Sequence, residues 1–499
     1  MVLALLVGAA GVLLALLNAL DVLNARLAFV AHTGLLLVYL WLEVSRLRRV
    51  HPERWLLNPV ALCSFMTFVM GYGVTNGLFF LPEKELELVG LVPEVTPAMA
   101  KLMCLVLLGA VAMWLGYWSP IAARLSNLDS ATRFQVRLLP KTNCLRSLAL
   151  PSLLAVSLTA RLMQIQLGVF GYSATYDQLI SMGSVTQYLF IGSELGKLAL
   201  VLVALQFYER RTSLHAKLWF YGLLASEVAF GFLSGFKSAV VIPFVIAAFC
   251  QYLRTGRFSK QWLMIALAGA MAAYAVIEPF RAARNENSAF RGTSLDSIIS
   301  TMIGAAGSTG GDLIEQGSAL LAFASRSNLS YVAALGIDFA DDNPSLPDGS
   351  PEFLANLFLA PLHAWIPRLV WENKPLGTLG LWYNQVVMGM THFSSTAMGP
   401  FTYLYFAGGF VAVLIGFFFV GVVQRTLFFL LQPASSMAGG TVFLTILNTV
   451  VAIDSSFDSI IISLCRNLPL ILFVQFLLFR GHYKNYAMYQ LKGARIAEQ

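Results

Sequence analysis

The chain has 499 residues, of which 58% are hydrophobic and 12% charged, with a mean hydropathy of +0.71 and a formal net charge of +7. Soluble domains are about a quarter charged, and no water-soluble core absorbs this much apolar side chain, so a soluble fold is excluded. The positive balance needs no nucleic acid to explain it, because basic loops beside anionic lipid account for it.

The apolar residues come in long blocks, and a block of about eighteen or more crosses a hydrocarbon layer as a helix. A transmembrane barrel would instead show short segments alternating in polarity. The expected fold is therefore all-α, a polytopic transmembrane helical bundle of about twelve spans, near 2–20, 27–43, 57–80, 97–118, 147–167, 187–207, 218–234, 238–253, 262–278, 399–421, 438–453 and 459–479. The first block has no Lys or Arg before it and runs straight into Asp21, which favours a retained span over a cleaved signal peptide. The organisation expected is an N-terminal bundle of about nine spans over 1–278, a large insert with short amphipathic helices over 279–398, membrane spans over 399–480, and a basic tail over 481–499.

Orientation follows from the short loops that carry Lys and Arg. Arg46, Arg48, Arg49 and Arg54 share one loop, Arg124, Arg133, Arg137, Lys141 and Arg146 a second, Arg210, Arg211 and Lys217 a third, and Arg254, Arg257 and Lys260 a fourth. With the spans above, all four lie on one side, whereas the 83–94 loop holds four glutamates against Lys84. Both termini and the basic loops are then expected in the cytoplasm and the 279–398 insert outside. Cys63, Cys104, Cys144, Cys250 and Cys465 show no paired spacing, so neither a disulfide framework nor a zinc site is expected. No phosphate loop, dinucleotide fingerprint or HExxH motif occurs, and no cofactor or metal is expected.

Cations in or beside spans are costly unless they pair, line a cavity or act on a substrate. Arg161 lies late in the fifth expected span, Lys237 in the turn Ser234-Gly235-Phe236-Lys237-Ser238, and Arg466 deep in the last span. Arg281, Arg284 and Arg291 follow the ninth span, and Arg326 and Arg368 lie further along the insert. Fixed positive charge at the membrane boundary suits a phosphate or diphosphate, which guanidinium forks hold with two parallel bonds. Plainer readings stand beside this one: Arg466 paired with Asp454 or Asp458, Glu194 with Lys197 three residues on, and Arg284 and Arg291 merely solvated.

Within the insert, Leu295–Ile303 and Leu320–Ala324 read as amphipathic pieces lying on or dipping into the membrane, Asp338–Ser350 as a turn-rich loop, and 353–366 as an apolar helix. The acids of the loop do not match calcium-loop spacing. The segment that follows carries Pro367-Arg368, Trp371 and Lys374-Pro375, then Ser394-Ser395-Thr396 and Gly399 leading into a span. Together with the small-residue turn at Lys237, the many spans and one late external loop, this resembles the bacterial oligosaccharide repeat-unit polymerases, the Wzy-like O-antigen polymerase group. Arg281 and Gly292 have the Arg-x10-Gly spacing of such loops, while Gly380 falls one residue too late from Arg368. The resemblance spans roughly 230–420.

It implies a fold like that of GT-C-type membrane glycosyltransferases, in the bacterial inner membrane with a periplasmic active face. It also implies a reaction joining one undecaprenyl-diphosphate-linked glycan to another, without cofactor. A diphosphate is already a good leaving group, so the protein need only neutralise its developing charge and deprotonate one hydroxyl. The expected diphosphate and substrate ligands are Arg161, Lys237, Arg281, Arg291, Arg326, Arg368 and Lys374, and the expected base is His392, with Glu372, Glu278 and His363 as competitors. Expected partners are lipid-linked glycans, membrane lipids, a chain-length regulator and a flippase, with no nucleic acid. A flippase or transporter of a lipid-linked or anionic solute, and an O-antigen ligase, remain as alternatives.

Overall fold

A computed structural model describes residues 2–52, 55–83, 86, 94–127, 138–140, 149–173, 183–209, 214–286, 296, 299–300, 303–304, 318–366, 370–371, 374, 379–390, 396–451 and 455–481. Ten helices are long and apolar enough to cross a membrane. They are α1 (Val2–Ala19), α2 (Ala25–Val50), α3 (Pro59–Phe80), α4 (Pro97–Trp118), α7 (Gly183–Glu209), α8 (Leu214–Ser234), α9 (Lys237–Thr255), α10 (Lys260–Glu286), α14 (Pro400–Leu431) and α16 (Phe457–Leu478). The chain is thus a helical, multi-pass membrane protein. The expected spans at 147–167 and 438–453 are also helices, α6 (Ala149–Gln166) and α15 (Met437–Val451). α6 carries Arg161 and two glutamines, and α15 has 15 residues, so neither reaches the length and apolarity of the ten. Shorter helices are α5 (Pro120–Ser126), α11 (Ser318–Ser327), α12 (Ser330–Asp342) and α13 (Phe353–Trp365). Two three-residue strands, Leu138–Pro140 and Phe479–Gly481, pair antiparallel.

The chain divides into two compact units. Unit 1 is Met1–Ser126, Glu315–Phe428 and Leu447–Arg466; unit 2 is Asn127–Ile314, Phe429–Ile446 and Asn467–Gln499.

Unit 1 is organised around α4, which is buried along most of its length. Apolar side chains gain nothing by leaving lipid for each other, so helices in a membrane associate through close backbone approach and shape. Glycines supply that approach here: a Cβ on Gly116 would fall 2.0 Å from the Phe418 carbonyl oxygen, and one on Gly421 1.9 Å from that of Met113. Phe401 stacks on Phe417 at 4.3 Å, with Phe68 edge-on to both. α3 departs from regular geometry, with a π-helical run over Ser64–Gly71 and a 3-10 stretch over Val74–Phe80. The carbonyls this frees are satisfied locally: Gly71 O accepts from Leu329 N at 2.9 Å, and Met70 O from Thr75 Oγ1 at 2.7 Å. Irregular backbone at membrane depth persists only with such replacement partners.

α12 is part of this core, with Ala333, Ala334 and Ile337 buried. Asn76 ties it down: its Oδ1 accepts from Asn328 Nδ2 at 3.1 Å and Ser330 Oγ at 2.7 Å, while its Nδ2 donates to the Tyr72 carbonyl at 2.6 Å. The helix also runs further than the sequence suggests. Asp338–Asp342 are helical and the turn-rich stretch begins at Asn343, because Asp341 is anchored by Lys101 Nζ at 2.6 Å and Tyr405 OH at 2.7 Å.

Unit 2 gathers α6 to α10. Its buried apolar side chains include the run 198–205 of α7 and two smaller clusters, Ile165, Phe170 and Phe280 in one and Val240, Ala273 and Ile277 in another. Arg161 and Arg281 lie beside the first.

Candidate functional site

In unit 2 the connection between α8 and α9 is the turn Ser234-Gly235-Phe236-Lys237. Ser234 Oγ donates to the Gly231 carbonyl at 2.7 Å and accepts from Phe236 N at 3.2 Å, closing the turn locally. Gly235 sits at φ +69, a left-handed conformation that glycine adopts without strain. A Cβ there would also press on Phe280 at 3.0 Å and Tyr172 at 3.1 Å. Gly171, at φ +58, closes the other side, since a Cβ on it would fall 2.2 Å from the Ser234 carbonyl oxygen.

Two of the predicted cations meet at this turn. Arg281, from the last turns of α10, donates through Nε to the Gly235 carbonyl at 2.9 Å. Its guanidinium lies over the Tyr172 ring at 4.6 Å and the Phe236 ring at 5.6 Å. Lys237 Nζ lies 3.6 Å from the centre of the Tyr274 ring, also on α10. Aromatic faces attract a cation. Both side chains are half-buried, so two cationic side chains meet at one turn, at the ends of three apolar helices.

Arg161 is placed differently. It is 6% exposed and bridges Glu227, itself 4% exposed, at 2.8 Å, with a further bond from Nη2 to the Ser193 carbonyl at 3.3 Å. Gly196 makes room for the pair, for a Cβ on it would lie 2.3 Å from Glu227 Oε1. Arg161 also stacks over Phe230 at 4.8 Å, and Phe230 packs on Phe170 at 6.3 Å, so the pair and the turn share one aromatic floor with Phe280. Sequence reasoning missed Glu227. The signal was there, as a single carboxylate inside an otherwise apolar span needs a buried cation.

In unit 1, the end of α13 holds a second group. His363 is 5% exposed, and its Nε2 has no hydrogen-bond partner among the described residues. The imidazole lies 5.0 Å from the Trp371 ring, and Lys374 Nζ donates to the Ile366 carbonyl at 2.9 Å. Burial, and then the charge of Lys374, hold the imidazole below its ordinary pKa.

Of the remaining predicted residues, Arg326 is exposed in the last turn of α11. Glu278 lies on α10, with its side chain outside the described residues. Arg291, Arg368, Glu372 and His392 also lie outside them, as do Ser394 and Ser395. Thr396 Oγ1 donates to Asn384 Oδ1 at 3.0 Å, and Gly399, at φ +76, leads into α14. Glu194 and Lys197 form the expected ion pair at 2.8 Å.

The arrangement offers cationic side chains beside aromatic faces in one unit and a buried imidazole in the other. Among the described residues no group of three His, Cys, Asp or Glu side chains is placed to hold a metal ion. No protein family, characterised protein or solved structure matches the chain.

Proposed function

We propose that the chain polymerises polyprenyl-diphosphate-linked oligosaccharide repeat units into a surface polysaccharide, on the periplasmic face of the bacterial inner membrane. The observation that carries this reading is the joint placement of Lys237 and Arg281 on the 234–237 turn. Oriented cations beside a membrane helix end are what a departing diphosphate needs. In the reaction the bond between the anomeric carbon and the diphosphate oxygen breaks, and its electron pair leaves on the diphosphate. A bond forms from the same carbon to an acceptor hydroxyl oxygen, whose proton passes to a base. Arg291, Arg326, Arg368 and Lys374 extend the set of diphosphate ligands in this reading, with His392, Glu372 and Glu278 as the bases named from sequence. His363, also named from sequence, is buried beside Trp371.

The architecture in this reading resembles GT-C-type membrane glycosyltransferases, with α6 and α15 completing twelve spans and both termini in the cytoplasm. A chain-length regulator and a flippase would act beside it. The buried Arg161–Glu227 pair favours one rival, a transporter of a lipid-linked or anionic solute, because charge inside spans is typical of transport pathways.

Deletion of the gene followed by gel analysis of the cell-surface polysaccharide separates the readings. Loss of long chains with a single-repeat cap retained is the expected outcome. Loss of the cap as well points to a ligase or a flippase and overturns the polymerase reading.

A further inference from the structure

A cavity of about 900 Å3 lies between α1, α2 and α4 in unit 1, near the upper end of the roughly 300–1,000 Å3 range of small-molecule sites. Its origin is visible in the packing. A Cβ on Gly11 would fall 2.7 Å from Leu107 Cδ2, so α1 closes on α4 there. Beside that contact the packing opens, and Val12, Ala15 and Leu16 of α1 and Ala100 and Leu108 of α4 line the space. Phe410 forms a further wall and directly follows the break in α14 at Gly408 and Gly409, the second of which has φ +62. Val12 and Leu16 remain 44% and 55% exposed on a membrane-spanning helix, so the cavity is open to lipid along its side.

One end of the cavity is polar, bounded by Asn18, Asp21, Asn24 and Lys101. A second cavity of about 490 Å3 shares Asn24 and Ala25 and adds Arg26 and Glu94. The mouth therefore carries two carboxylates and two cations. Lys101 is already bridged to Asp341 at 2.6 Å, which leaves no surplus of positive charge there. A diphosphate would meet Asp21 and Glu94 with Arg26 alone to offset them, and an anionic lipid head would gain little. A head that carries both an ammonium and a phosphate matches the alternation of signs.

We propose that this cavity is a site for a zwitterionic glycerophospholipid, its acyl chain between α1 and α4 and its head at Asp21, Asn24, Arg26 and Glu94. The site is independent of the polymerase reading and differs in charge from the Lys237–Arg281 turn.

The test uses the full chain, purified in mild detergent and measured by native mass spectrometry after addition of phosphatidylethanolamine, phosphatidylglycerol or a polyprenyl diphosphate. Wild type should retain one phosphatidylethanolamine per chain, and a ligand that binds only the folded protein should raise its melting temperature. Ala15→Phe, which fills the cavity, should abolish that retention. Asp21→Asn is on the surface and leaves the packing intact; it should erase a preference over phosphatidylglycerol of about two- to fivefold, the scale of an exposed charge contact. Equal retention of the two phospholipids by wild type, stronger retention of the polyprenyl diphosphate, or unchanged preference in Asp21→Asn would each overturn the proposal.

Discussion

The two units differ in the polar groups that stand out inside each apolar bundle. In unit 1 the buried polar side chains are mostly neutral, Glu43 and Asp458 aside, and bond to one another or to backbone. Asn76, Asn328, Ser330 and Thr75 form one network, and Tyr383 OH and Tyr403 OH donate to the Val332 and Phe353 carbonyls. In unit 2 neutral groups such as Ser157 and Gln164 are buried as well, but an Arg161–Glu227 pair lies in the interior and Lys237 and Arg281 are laid against aromatic rings. A neutral network costs little once satisfied and fixes how helices register. A buried or half-buried charge is expensive to keep in a membrane and calls for a functional reason. The comparison assigns structural definition to the Asn76 network and chemistry to the charged turn of unit 2.

The sharpest way to break it is to unpair the charge in unit 2. Glu227→Ala leaves Arg161 buried without its carboxylate, and the expected cost is about 3–5 kcal/mol of stability. The double variant Arg161→Met, Glu227→Leu removes both charges and should recover most of that loss, as measured by thermal unfolding in detergent. If it also retains polymer synthesis, the pair is structural; if stability returns while synthesis does not, the charge belongs to the chemistry.

A smaller effect is expected from the neutral network. Asn76→Ala removes the acceptor for Asn328 and Ser330, leaving buried donors unpaired at a cost of about 1–3 kcal/mol, with synthesis per folded molecule unchanged. A loss of specific activity at matched abundance would show that unit 1 does more than hold α12 in place.

The smallest effect is a pH dependence at His363. Its folded-state pKa lies below the ordinary value of 6.5, so the unfolded chain binds the proton more readily. The stability this contributes is fully present above pH 6.5 and is lost as pH falls through the lowered value. Melting temperature should therefore fall on acidification below pH 6.5, and His363→Gln should remove that component of the slope. An unchanged slope in the variant would mean that the group is as well solvated in the fold as in the unfolded chain.

The helices were legible because a span leaves a long apolar block that needs no knowledge of its neighbours, and even the ends of α4 and α8 fall where the blocks end. Lys237 and the turn before it were legible for a related reason, as a lysine beside Ser-Gly at the junction of two apolar runs is a costly placement. What the sequence could not convey is who sits opposite. Glu227 is 66 residues from Arg161, and nothing local marks the pairing. Likewise Asp341 reads as one acid in a turn-rich run, yet Lys101 and Tyr405, distant in the chain, hold it on a helix. His363 was legible as a candidate base, but its burial beside Trp371 emerges only in the fold.

The central claim is that the cations on the 234–237 turn serve a lipid diphosphate, and Arg281 tests it most directly. Wild type, Arg281→Lys and Arg281→Ala would be reconstituted at equal abundance in vesicles with polyprenyl-diphosphate-linked repeat units and no nucleotide, and the polymer ladder resolved on a gel. Wild type should build long chains. Arg281→Lys keeps the charge but loses the planar fork, so its chains should be shorter or fewer, and Arg281→Ala should fall to background. A wild-type ladder from Arg281→Ala would contradict the claim and make Arg281 a clamp on the Gly235 carbonyl and nothing more.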